Sequence, residues 1–167
     1  MNHLVWPASL TGIISTAVIF GTDMFFLSVG RPALRSAEES AATEVMGFIH
    51  LFGDRRMPIW GVSAILSNLL LVLFSGSRHR ALYLLSLSML ILFVVIYNRF
   101  AKPINRLQTA AAKTGGRLDG ARVLQASWDR SLTMRVPLLA VSMLAQCVAL
   151  LPSRHATFCA LGAASDR

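Results

Sequence analysis

Charge is scarce in this sequence. Only 14% of its 167 residues are Asp, Glu, Lys or Arg, against about 25% in an ordinary soluble domain. Acidic residues are the rarer sign, 8 against 16 basic ones, for a net charge of +8. Lysine is nearly missing, since every cation except Lys102 and Lys113 is Arg. Cysteine occurs twice, at Cys147 and Cys159, without the spacing of a disulfide scaffold or a CxxC zinc site. No two of the four histidines have a ligand spacing such as HxxxH, so the expectation is no metal and no cofactor. No internal repeat is visible. These shortages exclude an ordinary soluble enzyme and a zinc module, and an apolar content of 54% excludes a disordered chain.

Long apolar runs are what the chain has in quantity. Four of them, at about 10–29, 58–75, 81–97 and 136–151, each approach the ~20 residues that cross a 30 Å hydrocarbon core. Lipid offers no water to an open strand edge, so the spans are helices. The cations lie between the runs, which points to a membrane and not to nucleic acid. The first span reads as a retained helix and not as a signal peptide, because residues 1–9 carry no Lys or Arg and the span contains Asp23.

The fold expected is all-α: an integral membrane up-down four-helix bundle over residues 1–152, with a polar tail at 153–167. The five residues Gly76–Arg80 allow only a hairpin between spans two and three. The two long connections should build a helical cap. Ser36 and Glu39 have the spacing of a capping box, opening an amphipathic helix with Val45, Met46, Ile49 and Phe52 on one side, ended by the Gly53–Pro58 turn. Pro103 suits a first helical turn, Ile104–Lys113 a short helix stopped by Gly115-Gly116, and Asp119 the cap of a segment running into span four with a kink at Pro137. The cations on the side of the long connections outnumber those opposite. By the positive-inside rule the cap is then cytoplasmic, in a multi-pass protein of the cell membrane, with a bacterial inner membrane expected. Association into a homo-oligomer stays open.

Asp23 is the sharpest candidate for chemistry. An ionisable group inside a span costs at least about 2.5–3.5 kcal/mol and is functional or paired, here with Arg99 or Arg135 at the same level. His50, just before Gly53-Asp54-Arg55-Arg56, is the candidate base. A polar group follows span three, with Asn98, Arg99, Lys102, Pro103, Ile104 and Asn105. Another precedes span four, with Trp128, Asp129, Arg130 and Arg135. Singly, Trp128 reads as an interfacial anchor and Asp129 with Arg130 as a solvated face. Together with Asp54, Arg55 and Arg56 they crowd one mouth of the bundle, the usual arrangement of a small-molecule site over an apolar cavity.

At these residues the chain resembles the anthrone oxygenase-like family of small membrane proteins, much of it a domain of unknown function. The resemblance covers residues 10–151. It runs through Phe25-Phe26 to Pro32, Pro58, Asn98, Pro103-Ile104-Asn105, and Trp128, Arg130 and Arg135. It departs at Ala101, where members carry Asn two residues before the proline. The resemblance implies oxidation of a phenolic anthrone to an anthraquinone by molecular oxygen, without a metal. Such a reaction asks for a base, His50 or Asp23, and for cations or amides at the oxyanion: Arg55, Arg99, Arg130, Arg135 or Asn105. The implied partner is an apolar aromatic small molecule. Two other classes stay open: a four-helix drug transporter, which also carries one carboxylate in helix one, and a non-catalytic membrane partner protein. A haem-binding variant would want two facing histidines within the spans, and only His50 comes close.

Overall fold

The computed structural model describes residues 4–115 and 117–151, apart from the Arg78 side chain. The expected tail at 153–167, with Arg154, His155, Cys159 and Arg167, lies outside the described residues, as do His3 and Gly116. Among the described residues the chain is helical and contains no strand. Four helical runs are long and apolar enough to cross a membrane: Val5–Ser36, Glu39–Phe74, His79–Ala112 and Ala121–Leu150.

The first run is α1 (Val5–Phe25), a π-helical turn (Phe26–Gly30) and α2 (Arg31–Ser36). The second is the single helix α3 (Glu39–Phe74). The third joins α4 (Ser77–Ile96) to α5 (Lys102–Ala112) through a second π turn, Tyr97–Ala101. The fourth is α6 (Ala121–Leu150). Each π turn is followed two residues on by a proline, Pro32 or Pro103. A proline has no N–H and its ring meets the carbonyl four residues back, here Ser28 or Arg99. Widening the turn that holds this carbonyl lets the chain continue without a break.

α1 packs against α3 and α6, α4 against the same two helices, and α5 lies on α3. The apolar core falls into three layers. One gathers Leu71, Tyr83 and Ala149 with Val5 and Ala8. The middle layer holds Ile19, Ala64, Leu90 and Leu139. The third holds Met46, Ala101, Ile104, Trp128 and Leu132 beside Phe26 and Leu34.

Outside these layers, burial differs from that of a soluble bundle. Trp6, Ile14, Phe25, Leu66, Leu73, Leu144 and many other large apolar side chains are exposed. The interior instead encloses Ser9, Thr16, Asn68, Ser86, Ser142 and Gln146. Gln146 Nε2 donates to Thr16 Oγ1 and Ser86 Oγ, both at 2.9 Å, and Ser86 and Ser142 share a 2.8 Å bond. Small and hydrogen-bonding residues between helices, with apolar ones outside, suit a hydrocarbon solvent.

Several local expectations need correction. The Gly53–Pro58 segment does not end a helix, because α3 runs through it for 36 residues, about 54 Å at 1.5 Å per residue. Ser36 and Glu39 form no capping box. Ser36 Oγ bonds to Pro32 O, and the cap of α3 is Glu38, whose carboxylate accepts from the amides of Ser40 and Ala41 at 3.2 Å. These bonds and the Ser40 hydroxyl hold the Glu38 carboxyl below its ordinary range. The start of α6 is capped by Gly120 at φ 70°, not by the side chain of Asp119. On the expected amphipathic stretch Met46 is buried, but Val45, Ile49 and Phe52 are exposed. The inward face is Thr43, Met46, Gly47 and His50. Its reason is close packing: a Cβ on Gly47 would overlap the Gln108 carbonyl of α5, and Thr109 Oγ1 donates to Gly47 O at 3.1 Å.

Candidate functional site

Beside the Trp128 layer the helices line an open-sided cavity of about 370 Å³. α1 contributes Asp23 and Phe26 to its wall, and α3 contributes His50, Asp54, Pro58 and Gly61. The third run adds Phe93, Tyr97, Asn98 and Asn105, and α6 adds Trp128 and Arg135. Gly53 and Gly61 line it too, and a Cβ on either would meet nothing within 4 Å.

Asp23 and Arg135 form its charged floor. Arg135 Nη2 donates to Asp23 Oδ1 at 3.1 Å, and the two residues are 2% and 8% exposed. Aromatic rings surround the guanidinium, whose carbon lies 5.4 Å from the Trp128 ring centroid and 5.8 Å from those of Phe93 and Tyr97. Ring faces add cation–π attraction to a charge that water cannot reach. The pair is held by one hydrogen bond only: Asp23 Oδ2 and Arg135 Nε are buried without a partner.

A second polar chain closes the upper wall. Trp128 Nε1 donates to Asn105 Oδ1 at 2.9 Å, and Asn105 Nδ2 donates to Asp54 Oδ1 at 2.9 Å. Tyr97 Oη donates to the same oxygen. Trp128 is thus 5% exposed and hydrogen-bonded inward, not an interfacial anchor. His50 stands next to it, with ring centroids 5.3 Å apart, and its Nε2 lies 2.9 Å from Gln108 Oε1.

The cavity therefore brings together Asp23, His50, Asp54, Asn98, Asn105, Trp128 and Arg135. Three expected members are elsewhere. Arg55 is exposed and lines a separate depression with Arg106 and Lys113, whose far wall is again His50 and Asp54. Arg99 is exposed over the Phe100 ring, and Arg130 is exposed on α6. The reason is angular. Arg99 lies on the outward side of the π turn, and Arg130 points away from the face that carries Trp128, Asp129 and Arg135. Asn98 reaches only the rim, where its Nδ2 bonds to Val94 O and its Oδ1 accepts from Lys102.

The solvated-face reading of Asp129 fails as well. Asp129 is 2% exposed, with Arg31 Nε at 3.3 Å and Arg35 Nη2 at 3.5 Å from its Oδ2. Tyr97, Phe93, Gln108 and Gln125 are members of the site or its support that the sequence reading missed. Tyr97 had one available signal, a phenol adjoining Asn98 and eight residues before Asn105. Among the described residues no three His, Cys, Asp or Glu side chains converge; the cavity offers hydrogen-bond donors, acceptors and aromatic faces. Comparison of the chain with protein-family models, curated proteins and solved structures finds no match to any of them.

Proposed function

We propose that this chain is a four-pass protein of the cell membrane, an up-down-up-down bundle in which the extended ends of the helices cover a site for a flat aromatic ligand. Its proposed reaction is the cofactor-free oxidation of an anthrone-type phenol by molecular oxygen. The observation that carries the reading is the cavity itself. A buried arginine, a histidine, a phenol and an indole wall one apolar space that is large enough for a small polycyclic molecule. The greasy exterior and the polar interior support the membrane setting.

In this reading His50 is the base, because Asp23 is already engaged by Arg135. His50 removes one proton from the ligand's benzylic CH2, and the electron pair moves onto the carbonyl oxygen across the ring. Arg135, itself buried, stabilises that oxyanion. The carbanionic carbon adds dioxygen, and protonation gives a hydroperoxide. Loss of the second C–H proton with cleavage of the O–O bond then forms the new C=O. The departing hydroxide takes up a proton, so the sum is CH2 + O2 → C=O + H2O. Phe26 and Trp128, edge to face at 5.5 Å, supply an aromatic wall for the ring system. The Asp23–Arg135 pair also counts against the carrier reading, which needs an intramembrane carboxylate free to take cargo.

Oxygen uptake by the purified protein with a 1,8-dihydroxyanthrone tests the proposal. Uptake of one O2 per quinone formed is expected, above the spontaneous rate and falling at least about a hundredfold in His50→Gln, the scale of general-base catalysis. Equal rates with and without protein would reject the reaction.

A further inference from the structure

Behind His50 runs a line of polar side chains that the chemistry above does not use. Gln108 Oε1 lies 2.9 Å from His50 Nε2, Gln108 Nε2 donates to Gln125 Oε1 at 3.0 Å, and Gln125 Nε2 donates to Asp129 Oδ1 at 3.0 Å. Arg31 and Arg35 close the line on the other oxygen of Asp129. His50, Gln108 and Asp129 are 4%, 1% and 2% exposed and Gln125 is half-buried, so water has little access to mend a mismatched bond at His50 or Gln108.

The direction of this line is dictated from one end. An ionised carboxylate only accepts hydrogen bonds, and Asp129 is flanked by two guanidinium groups. Gln125 must turn its NH2 toward Asp129 and hence its carbonyl toward Gln108. Gln108 must in turn give its NH2 to Gln125 and its carbonyl to His50. The ring nitrogen that meets a carbonyl has to carry the proton. Turning either amide over would set two oxygens against each other and lose a hydrogen bond of the line.

We infer that Asp129, acting through Gln125 and Gln108, fixes His50 in the Nε2–H tautomer, so that Nδ1 is the atom that takes the ligand's proton. No hydrogen bond among the described residues engages Nδ1, and the ring forms part of the cavity wall. Asp129, Gln125 and Gln108 are positioning residues. They touch no ligand but select which nitrogen is basic, as the partner of one ring nitrogen generally does. The role given to Nδ1 rests on the proposed function, whereas the tautomer can be read without any turnover.

The experiment is 15N NMR of the full chain in lipid nanodiscs with labelled histidine, at a pH where the ring is neutral. The His50 signals are identified by their loss in His50→Gln. Wild type should show a single tautomer protonated at Nε2. Asp129→Asn introduces an end group that can donate as well as accept, and a mixture of tautomers should result. Gln125→Leu leaves the Asp129 ion pairs in place, keeps the test open should Asp129→Asn not fold, and should also give the mixture. In the turnover assay kcat should fall by the fraction of the wrong tautomer, with KM unchanged. A proton on Nδ1 in the wild type, or an unaltered Nε2–H tautomer in the folded variants, would overturn the inference. A protein with the expected tautomer and no turnover would reject the oxidation and leave the inference standing.

Discussion

Arg135 carries a full charge into a place that is 2% exposed, and among the described residues its one carboxylate neighbour within hydrogen-bond reach is Asp23. Breaking a buried pair by removing one member typically costs about 3–5 kcal/mol, because the survivor stays uncompensated. Asp23→Asn should therefore lower stability by about that amount, while Asp23→Asn combined with Arg135→Gln should recover much of it. Thermal unfolding of the four members of this double-mutant cycle checks the coupling, and purely additive losses would count against it. Glu38 gives a pH-dependent counterpart at the surface. Its carboxyl is held below the ordinary range by bonds to Ser40 and Ala41, so the folded state binds its proton less readily than the unfolded chain. The stability it adds is fully present above the unfolded value and is lost as pH falls through the lower folded one. Hydrogen exchange at the start of α3 should be faster in Glu38→Gln at neutral pH, and the difference should vanish in acid. At this scale Asp23 was legible in the sequence, because a lone acid in an apolar run has to find a cation. Asp129 was not, since its two arginines come from a segment about a hundred residues away.

Among the elements, α3 differs most from what its sequence suggests. Gly53 and Pro58 are ordinary turn residues, yet the helix continues through both. Tertiary packing outweighs the local cost there, whereas Pro32 and Pro103 are accommodated by the widened π turns before them. Patterning misled in the same stretch. Val45, Ile49 and Phe52 form an apolar face that a soluble protein would bury, but here the small and polar face meets α5. The four apolar runs themselves were legible, although each helix extends beyond its apolar stretch by one or more turns. Gly47 is the position on which the α3–α5 contact depends. Gly47→Ala should force α5 away and destabilise by about 1–3 kcal/mol, the usual range for overpacking. Gly53→Ala has open space before it and should be nearly neutral or slightly stabilising. The melting temperatures of the two variants in one detergent provide the comparison, and equal values would contradict the packing.

For the whole molecule, the proposed topology puts Ser77 and Lys113 on opposite sides of the bilayer, since the third run lies between them. Cysteines placed singly at these positions, with Cys147 and Cys159 replaced, should be labelled from opposite faces of sealed vesicles. Labelling of both from one face would reject the four-pass arrangement. The cavity was only partly legible in the sequence. Residues from all four runs could be assigned to one mouth, but the turn of each helix decides who enters, which is why Arg55, Arg99 and Arg130 fall outside. Binding of a flat aromatic ligand against Trp128, as proposed, is open to one direct measurement. In a Trp6→Phe/Trp60→Phe protein, Trp128 is the sole indole left, and under anaerobic conditions a dihydroxyanthrone should quench its fluorescence saturably. Gly61→Phe, which fills the cavity from a position with open space in front of it, should abolish that quenching in a protein that still folds. Quenching that never saturates, or that survives Gly61→Phe unchanged, would contradict the account.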